Sequence, residues 1–297
     1  MRRILSLMLA ALALLGVISP SAQALSAPQT VTTGKQIPWG LAFLPDGTTR
    51  ITERNTGKIY ELRPGRPIRH IYTVTESRAT GEAGLLGIAV APDYARNQRL
   101  FVYSTSDTDN RNAVTRRGSP ARPMPPVPRI PTRSFHARGG GGARPPPPLD
   151  ARPRGPGDSS RAQNTGSLGG KILRVTTTGA PAPGNRFGRV FSYGHRNVQG
   201  LVFDRAGRLW ATEFGQNTFD EVNLITNGGN YGWPVVEGKG NDSRFVEPKW
   251  TWSPSEASPS GIGIKGDSLY VAALRGERVW RLRLGGDSIT TASPILP

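Results

Sequence analysis

Cysteine is absent from the chain. That excludes disulfides, thiol nucleophiles, cysteine metal sites and a lipid anchored to a cysteine behind a leader. Acids are scarce as well: 21 stand against 38 lysines and arginines in 297 residues, a formal net charge of +17. Hydrophobic residues make up only 36%, which is low for a compact globule. Beyond the N-terminal segment no apolar spacing of helical period runs far enough to predict a helix.

Much of what is present in excess is concentrated in one place. Between Arg111 and Arg161 stand 11 arginines, no lysine, two acids and 12 of the 27 prolines. Its centre reads SFHARGGGGARPPPPLDARPRGPGD, residues 134–158. Four successive prolines offer no donors to a ladder and are not expected to form an interior strand. A glycine run adds freedom and buries nothing. So basic a tract raises nucleic-acid binding as a function. It lacks interleaved aromatics that would stack on bases, and the N-terminus points to export, so no nucleic-acid partner is expected.

That N-terminus is built in three parts. Arg2 and Arg3 precede the apolar run ILSLMLAALALLGVI, and Ala22-Gln23-Ala24 follows as an A-x-A cleavage site. The run is short for a bilayer, so residues 1–24 are read as a signal peptide and residues 25–297 as the mature domain. The expected location is secreted or periplasmic, with no stable membrane span after cleavage.

The rest of the chain repeats one pattern: a glycine, alternating apolar residues, an Asp- or Gly-bearing turn, then a second apolar strand. GLAFLPDGTTRITER (Gly40–Arg54), GIAVAPDYARNQRLFVYST (Gly87–Thr105), GLVFDRAGRLWATEFG (Gly200–Gly215) and GIGIKGDSLYVAALRGERVWRL (Gly261–Leu282) are its copies. Each reads as a β-hairpin. Copies roughly 50 residues apart suggest a β-propeller, in which each blade buries its faces against its neighbours. The fold class is therefore all-β, with one degenerate blade region at about residues 111–156, where a further hairpin is due.

Five stretches carry a resemblance: GEAGLLGIAVAPDY (81–94), GSLGGKILRV (166–175), SYGHRNVQGLVF (192–203), DEVNLITNGGNYGWPVVEG (220–238) and AALRGERVWRL (272–282). In that order they resemble the glucose/sorbosone dehydrogenase family, over about residues 36–110 and 157–297. The resemblance implies an exported six-bladed β-propeller that uses pyrroloquinoline quinone (PQQ) and calcium. It further implies a small sugar as substrate and an external electron acceptor.

Matched position by position, the resemblance puts the catalytic base at His136, after Ile130-Pro131, although the family's Asn-Gly-Gly is here Ala137-Arg138-Gly139. Imidazole chemistry suits that task, since its free pKa lies near neutrality. Arg196 and Asn197 of GHRN take the place of cofactor contacts, and a fixed guanidinium can hydrogen-bond a quinone carbonyl. His195 beside them is read as structural. Gly215 and Gln216 correspond to a loop whose backbone carbonyls hold calcium. A second calcium position falls on Glu221 and Tyr231, with Asn241 or Asp242 nearby. Glu82 corresponds to a sugar contact, Trp252 to a residue stacking on the cofactor, and Arg275 to a basic cofactor contact.

The family continues past the Arg275 motif with an Arg-x-Arg-Asp segment, whereas this sequence ends at TASPILP. The expectation is an incomplete propeller with an unpaired closing edge. Two functions follow: oxidation of the anomeric carbon of an aldose by base-assisted hydride transfer, or a non-catalytic propeller remnant acting at most as a binding module.

Overall fold

In the computed structural model, residues 29–80, 83–91, 94–105, 112–117, 148–151, 159–176 and 179–296 are described. Two units separate, Met1–Thr33 and Gly34–Pro297. Residues 29–33, the described part of the first, carry no regular structure. Among the described residues of the second, five antiparallel sheets follow one another along the chain. The first holds β1 (Pro38–Phe43), β2 (Thr49–Glu53), β3 (Lys58–Leu62) and β4 (Arg69–Thr73). The second holds β5 (Leu85–Val90), β6 (Leu100–Thr105) and β7 (Asn112–Arg117), and the third β8 (Pro148–Ala151), β9 (Lys171–Arg174) and β10 (Val190–Tyr193). In the fourth are β11 (Val198–Phe203), β12 (Leu209–Glu213), β13 (Asp220–Ile225) and β14 (Trp250–Trp252). The fifth has β15 (Pro259–Lys265), β16 (Ser268–Ala273), β17 (Arg278–Gly285) and β18 (Ser288–Leu296). Helix is limited, among the described residues, to Tyr94–Asn97 and a 3-10 turn at Ser159–Ala162. The all-β reading holds.

All four hairpins read from the repeat form, as β1–β2, β5–β6, β11–β12 and β15–β16. Their turns follow local chemistry. Asp46 Oδ1 accepts the Thr48 N–H at 2.9 Å, and Gly47 takes φ +80°. Asp204 Oδ1 accepts the Arg208 N–H at 2.9 Å, and Gly207 takes φ +78°. A carboxylate that folds back on the turn and a glycine at positive φ are what such tight connections need.

Strand alternation then places the core. Successive side chains point to opposite faces, with a register shift in β5 between Leu85 and Ile88, so sheets that are neighbours in chain order pack on one another. Leu85 and Ile88 join Ala42 and Ile59 of the first sheet, whereas Leu86 and Ala89 join Leu173 and Val190 of the third. Ile172 turns the other way, onto Val198, Leu201 and Ala211 of the fourth sheet. Trp210 between them faces Ile262, Leu269 and Leu282 of the fifth. Each large apolar side chain so buried contributes about 1.5–3 kcal/mol. Sheet faces packed successively in chain order are the architecture of a β-propeller.

The proline run was not expected to form an interior strand, and its last member, Pro148, begins β8. β8 lies at the edge of its sheet, in the order β10-β9-β8. A proline at the first position of an edge strand costs the ladder little, because its missing donor faces away from the partner. Among the described residues, no helix is long and apolar enough to cross a membrane; the apolar run near the N-terminus lies outside them.

Candidate functional site

The connection from β10 to β11 turns sharply at Gly194, whose φ is +74°. A Cβ there would collide with Asn230 Oδ1, and it would approach the Gly232 nitrogen at 2.8 Å. The turn is pinned from several sides: Gly194 N–H donates to Ala162 O at 2.9 Å, and Trp233 N–H donates to Gly194 O at 2.9 Å. His195 follows, only 1% exposed, stacked on Tyr231 with centroids 4.6 Å apart. Its Nδ1 lies 2.9 Å from Glu213 Oε2 and its Nε2 lies 2.8 Å from Ser192 Oγ. A carboxylate can only accept, so Nδ1 carries the proton, and in the neutral ring Nε2 accepts from the hydroxyl. Ser192, His195 and Glu213 thus have the connectivity of a nucleophile triad. Ser192 has 0% of its surface exposed, however, so its hydroxyl meets no substrate. The chain is structural, and its end product is a fixed corner: Glu213 Oε1 accepts the N–H of Arg196 and that of Asn197, the latter at 3.0 Å.

The corner presents two side chains. Asn197 is buried, its Oδ1 accepting from Gln199 Nε2 at 2.8 Å, which orients the amide. The half-buried Arg196 lies over the Trp233 ring, 5.5 Å from its centroid. Its Nη1 donates to Gly215 O at 2.5 Å and to Phe214 O at 3.3 Å. The loop carrying those carbonyls has its N–H groups turned the other way. Gly215 N–H donates to Asp220 Oδ1 at 3.0 Å. Glu237 Oε1 accepts from Gln216 at 2.5 Å, from Asn217 and Thr218 at 3.1 Å, and from Phe219 at 3.2 Å. Peptide planarity sets each C=O opposite the N–H of the next residue. Gly215 O therefore points away from Glu237, toward Arg196.

The remaining acids of this region are buried. Asp220, whose Oδ2 accepts the Ser258 N–H at 2.7 Å, has its pKa raised by burial against the pull of its backbone bonds. Glu221 stands opposite Glu213 in the β12–β13 register. Its oxygens accept from Gly238 N–H at 2.7 Å and Asn223 Nδ2 at 2.9 Å. Burial, with the nearby Glu213 and Glu237 charges, pushes its carboxyl up to about 8. The buried Tyr231 hydroxyl donates to Leu224 O at 2.6 Å and accepts from Thr226 N–H at 2.9 Å; burial pushes it up to about 12.

Of the residues singled out in the sequence, Arg196, Asn197, Gly215 and Gln216 meet at one loop pair, with Glu221 and Tyr231 packed behind it. Trp252 is the register partner of Asp220. Its ring sits in the apolar cluster with Trp210 and Leu269, 5.6 Å from Trp280, and its Nε1 is buried without an acceptor. Arg275 is exposed at the β16–β17 turn, beside a groove reaching Leu296. Asp242 pairs with Arg244 at 2.6 Å, which with the Arg244 N–H holds its pKa down at about 2. His136 and Glu82 lie outside the described residues. Sequence reading missed Glu213, Asp220 and Glu237, the carboxylates that fix the corner and loop.

The donor set suits the groups that the resemblance implies. The Gly215 carbonyl is a hard oxygen of the kind calcium takes, here accepting from Arg196 Nη1, and that fixed guanidinium suits an anionic quinone. No cluster of three or more acidic, histidine or cysteine side chains is arranged for a metal among the described residues, so the calcium fit rests on backbone oxygens.

Sheets packed face to face in chain order define a β-propeller. The description Glucose / Sorbosone dehydrogenase matches residues 35–121 and 154–297, and the chain belongs to that family. It is similar to the aldose sugar dehydrogenase of Streptomyces coelicolor, solved in its PQQ-bound form: 39% identity, TM-score 0.78, covering 90% of this chain and 83% of that one. Quinoprotein glucose dehydrogenase B of Acinetobacter calcoaceticus is 29% identical over 70% of this chain and 52% of its own length. The aldose sugar dehydrogenase YliI of Escherichia coli is 26% identical over 87% of this chain and 81% of its own.

Proposed function

We propose that the protein is an exported, PQQ- and calcium-dependent sugar dehydrogenase that oxidises the anomeric carbon of an aldose. Membership of the family supports the reaction class. The observation that carries the reading is the meeting of Arg196 Nη1 with the outward Gly215 carbonyl at 2.5 Å. That pair puts a fixed cation and a metal-type oxygen donor on one face of a locked loop. Arg196, Asn197 and Arg275 would hold the cofactor, and the carbonyls of Gly215 and Gln216 would hold calcium. Glu221 and Tyr231 would serve a second calcium position. Bound PQQ supplies the two-electron acceptor, which an external acceptor reoxidises. His136 takes the proton of the anomeric hydroxyl, while Glu82 binds the sugar. The apolar run behind Arg2-Arg3 and the A-x-A site at 22–24 support export, and the family's six blades are the expected complete architecture.

Purified protein supplied with PQQ and calcium should reduce an artificial dye in the presence of aldoses and acquire a quinone absorption band. Absence of both turnover and band overturns the reading and favours the non-catalytic remnant. Replacing His136 by alanine should lower turnover by about 10²–10⁴-fold, the range for loss of a general base. Quinone binding should survive that change, as read by the same absorption band.

A further inference from the structure

We propose that Glu213 is the positioning residue of the cofactor corner. The proposal rests on the quinone-binding reading above. The first and fourth sheets are internally equivalent at this point.

Both sheets open with the same joint. Gly40 in β1 and Gly200 in β11 are glycines whose added Cβ would meet a threonine hydroxyl of the neighbouring strand, Thr52 Oγ1 at 2.8 Å and Thr212 Oγ1 at 2.9 Å. Each threonine hydroxyl donates onward to the first strand of the next sheet: Thr52 to Leu86 O at 2.6 Å, Thr212 to Ser260 O at 3.0 Å. Each threonine is followed by a glutamate, and each glutamate faces the strand start in register, Glu53 opposite Pro38 and Glu213 opposite Val198. The next residue closes the joint in the same way. Arg54 N–H donates to Ile37 O at 3.0 Å, and Phe214 N–H donates to Asn197 O at 2.9 Å. Gln36 and Ile37 are thus the counterparts of Arg196 and Asn197.

At these equivalent corners the two glutamates do related work with different partners. Glu53 Oε1 accepts the Gln36 N–H at 2.6 Å, and its Oε2 accepts from the Thr56 and Tyr60 hydroxyls. Glu213 takes the two successive N–H groups of Arg196 and Asn197 on one oxygen and His195 on the other. A general device for anchoring the chain entering a sheet is thereby extended over three consecutive residues. With both backbone N–H groups fixed, the direction in which Arg196 and Asn197 leave the corner is fixed as well. Glu213 is buried, with its oxygens taken by His195, Arg196 and Asn197; it acts through the Arg196 and Asn197 side chains.

The test compares matched variants at the two corners. Glu213→Asp keeps the charge but withdraws the carboxylate by one methylene, and Glu53→Asp makes the same change at the structural counterpart. Apo-protein with calcium is titrated with PQQ, following tryptophan fluorescence and thermal unfolding. Glu213→Asp should weaken quinone binding by about 10–100-fold, the usual effect of removing a residue that orients a ligand-holding group. Glu53→Asp should lower thermal stability comparably and leave quinone affinity unchanged. Glu213→Gln should recover most of the affinity, because its carbonyl still accepts both N–H groups and His195 can exchange tautomers toward its amide. Equal affinity in Glu213→Asp and wild type overturns the proposal alone. So does equal weakening in Glu53→Asp, which would make the effect one of general stability. A wild-type protein that binds no PQQ overturns the cofactor reading and this proposal together.

Discussion

Alanine at Gly215 is expected to abolish measurable PQQ binding and to destabilise the fold by about 1–3 kcal/mol, the usual range for forcing an atom into packed space. The added Cβ would fall inside the Phe219 carbonyl oxygen and Glu237 Oε1, and it would lie 2.6 Å from the Phe219 carbonyl carbon. Two of those three atoms are backbone and cannot rotate away. The loop can accept the methyl group only by opening, which detaches the Gln216–Phe219 N–H groups from Glu237. Once they detach, the Gly215 carbonyl is held toward Arg196 only by that guanidinium and by the Gly215 N–H bond to Asp220. A calcium-dependent PQQ titration reads the first effect and a thermal melt the second. Wild-type affinity in this variant would show that the loop is not the cofactor's seat.

Methionine at Lys171 is the second large expected effect. Lys171 opens β9 with 0% of its surface exposed. Its Nζ lies 2.6 Å from Arg161 O, 2.9 Å from Ala162 O and 2.5 Å from Gly169 O. An ammonium has three N–H donors, so here each finds a carbonyl. Methionine fills much the same volume but leaves the three acceptors without this donor, at about 1–3 kcal/mol for each left unsatisfied. Ala162 O also receives the Gly194 N–H at 2.9 Å, which softens its own loss and ties the lysine to the cofactor corner. A total near 3 kcal/mol corresponds to roughly 6–12 °C in melting temperature for a domain this large. Urea unfolding would measure it, and a loss below about 1 kcal/mol would mean that water replaces the ammonium.

The hairpins were legible because their signal is local: alternation, an Asp-Gly turn and a glycine at the strand start all lie within 15 residues of each other. Arg196 and Asn197 were legible through the resemblance, and the structure explains why they lie side by side at a corner. Glu213, Asp220, Glu237 and Lys171 were not. Each bonds backbone atoms, and a backbone N–H or C=O leaves no mark in the residue that carries it. Glu237 reaches the loop from 18–21 residues away, with nothing at either end to announce the pairing. The one internal clue was the Thr-Glu pair closing both RITE and WATE. Trp252 shows the converse: its motif suggested an exposed stacking face, whereas Asp220 opposite it and Trp280 beside it set the ring within the core. Pro148 opens an edge strand, a place that the rule against interior prolines leaves open.

The capture of four successive N–H groups by Glu237 has an electrostatic consequence. A loop with free amides would draw anions directly, as helix starts and phosphate loops do. This one carries its own counter-anion, Glu237, while the Gly215 carbonyl on its other face already accepts from the Arg196 guanidinium. The amide donors and the cation are thus held on opposite sides of the loop. An anion approaching it would meet the guanidinium rather than the backbone N–H groups.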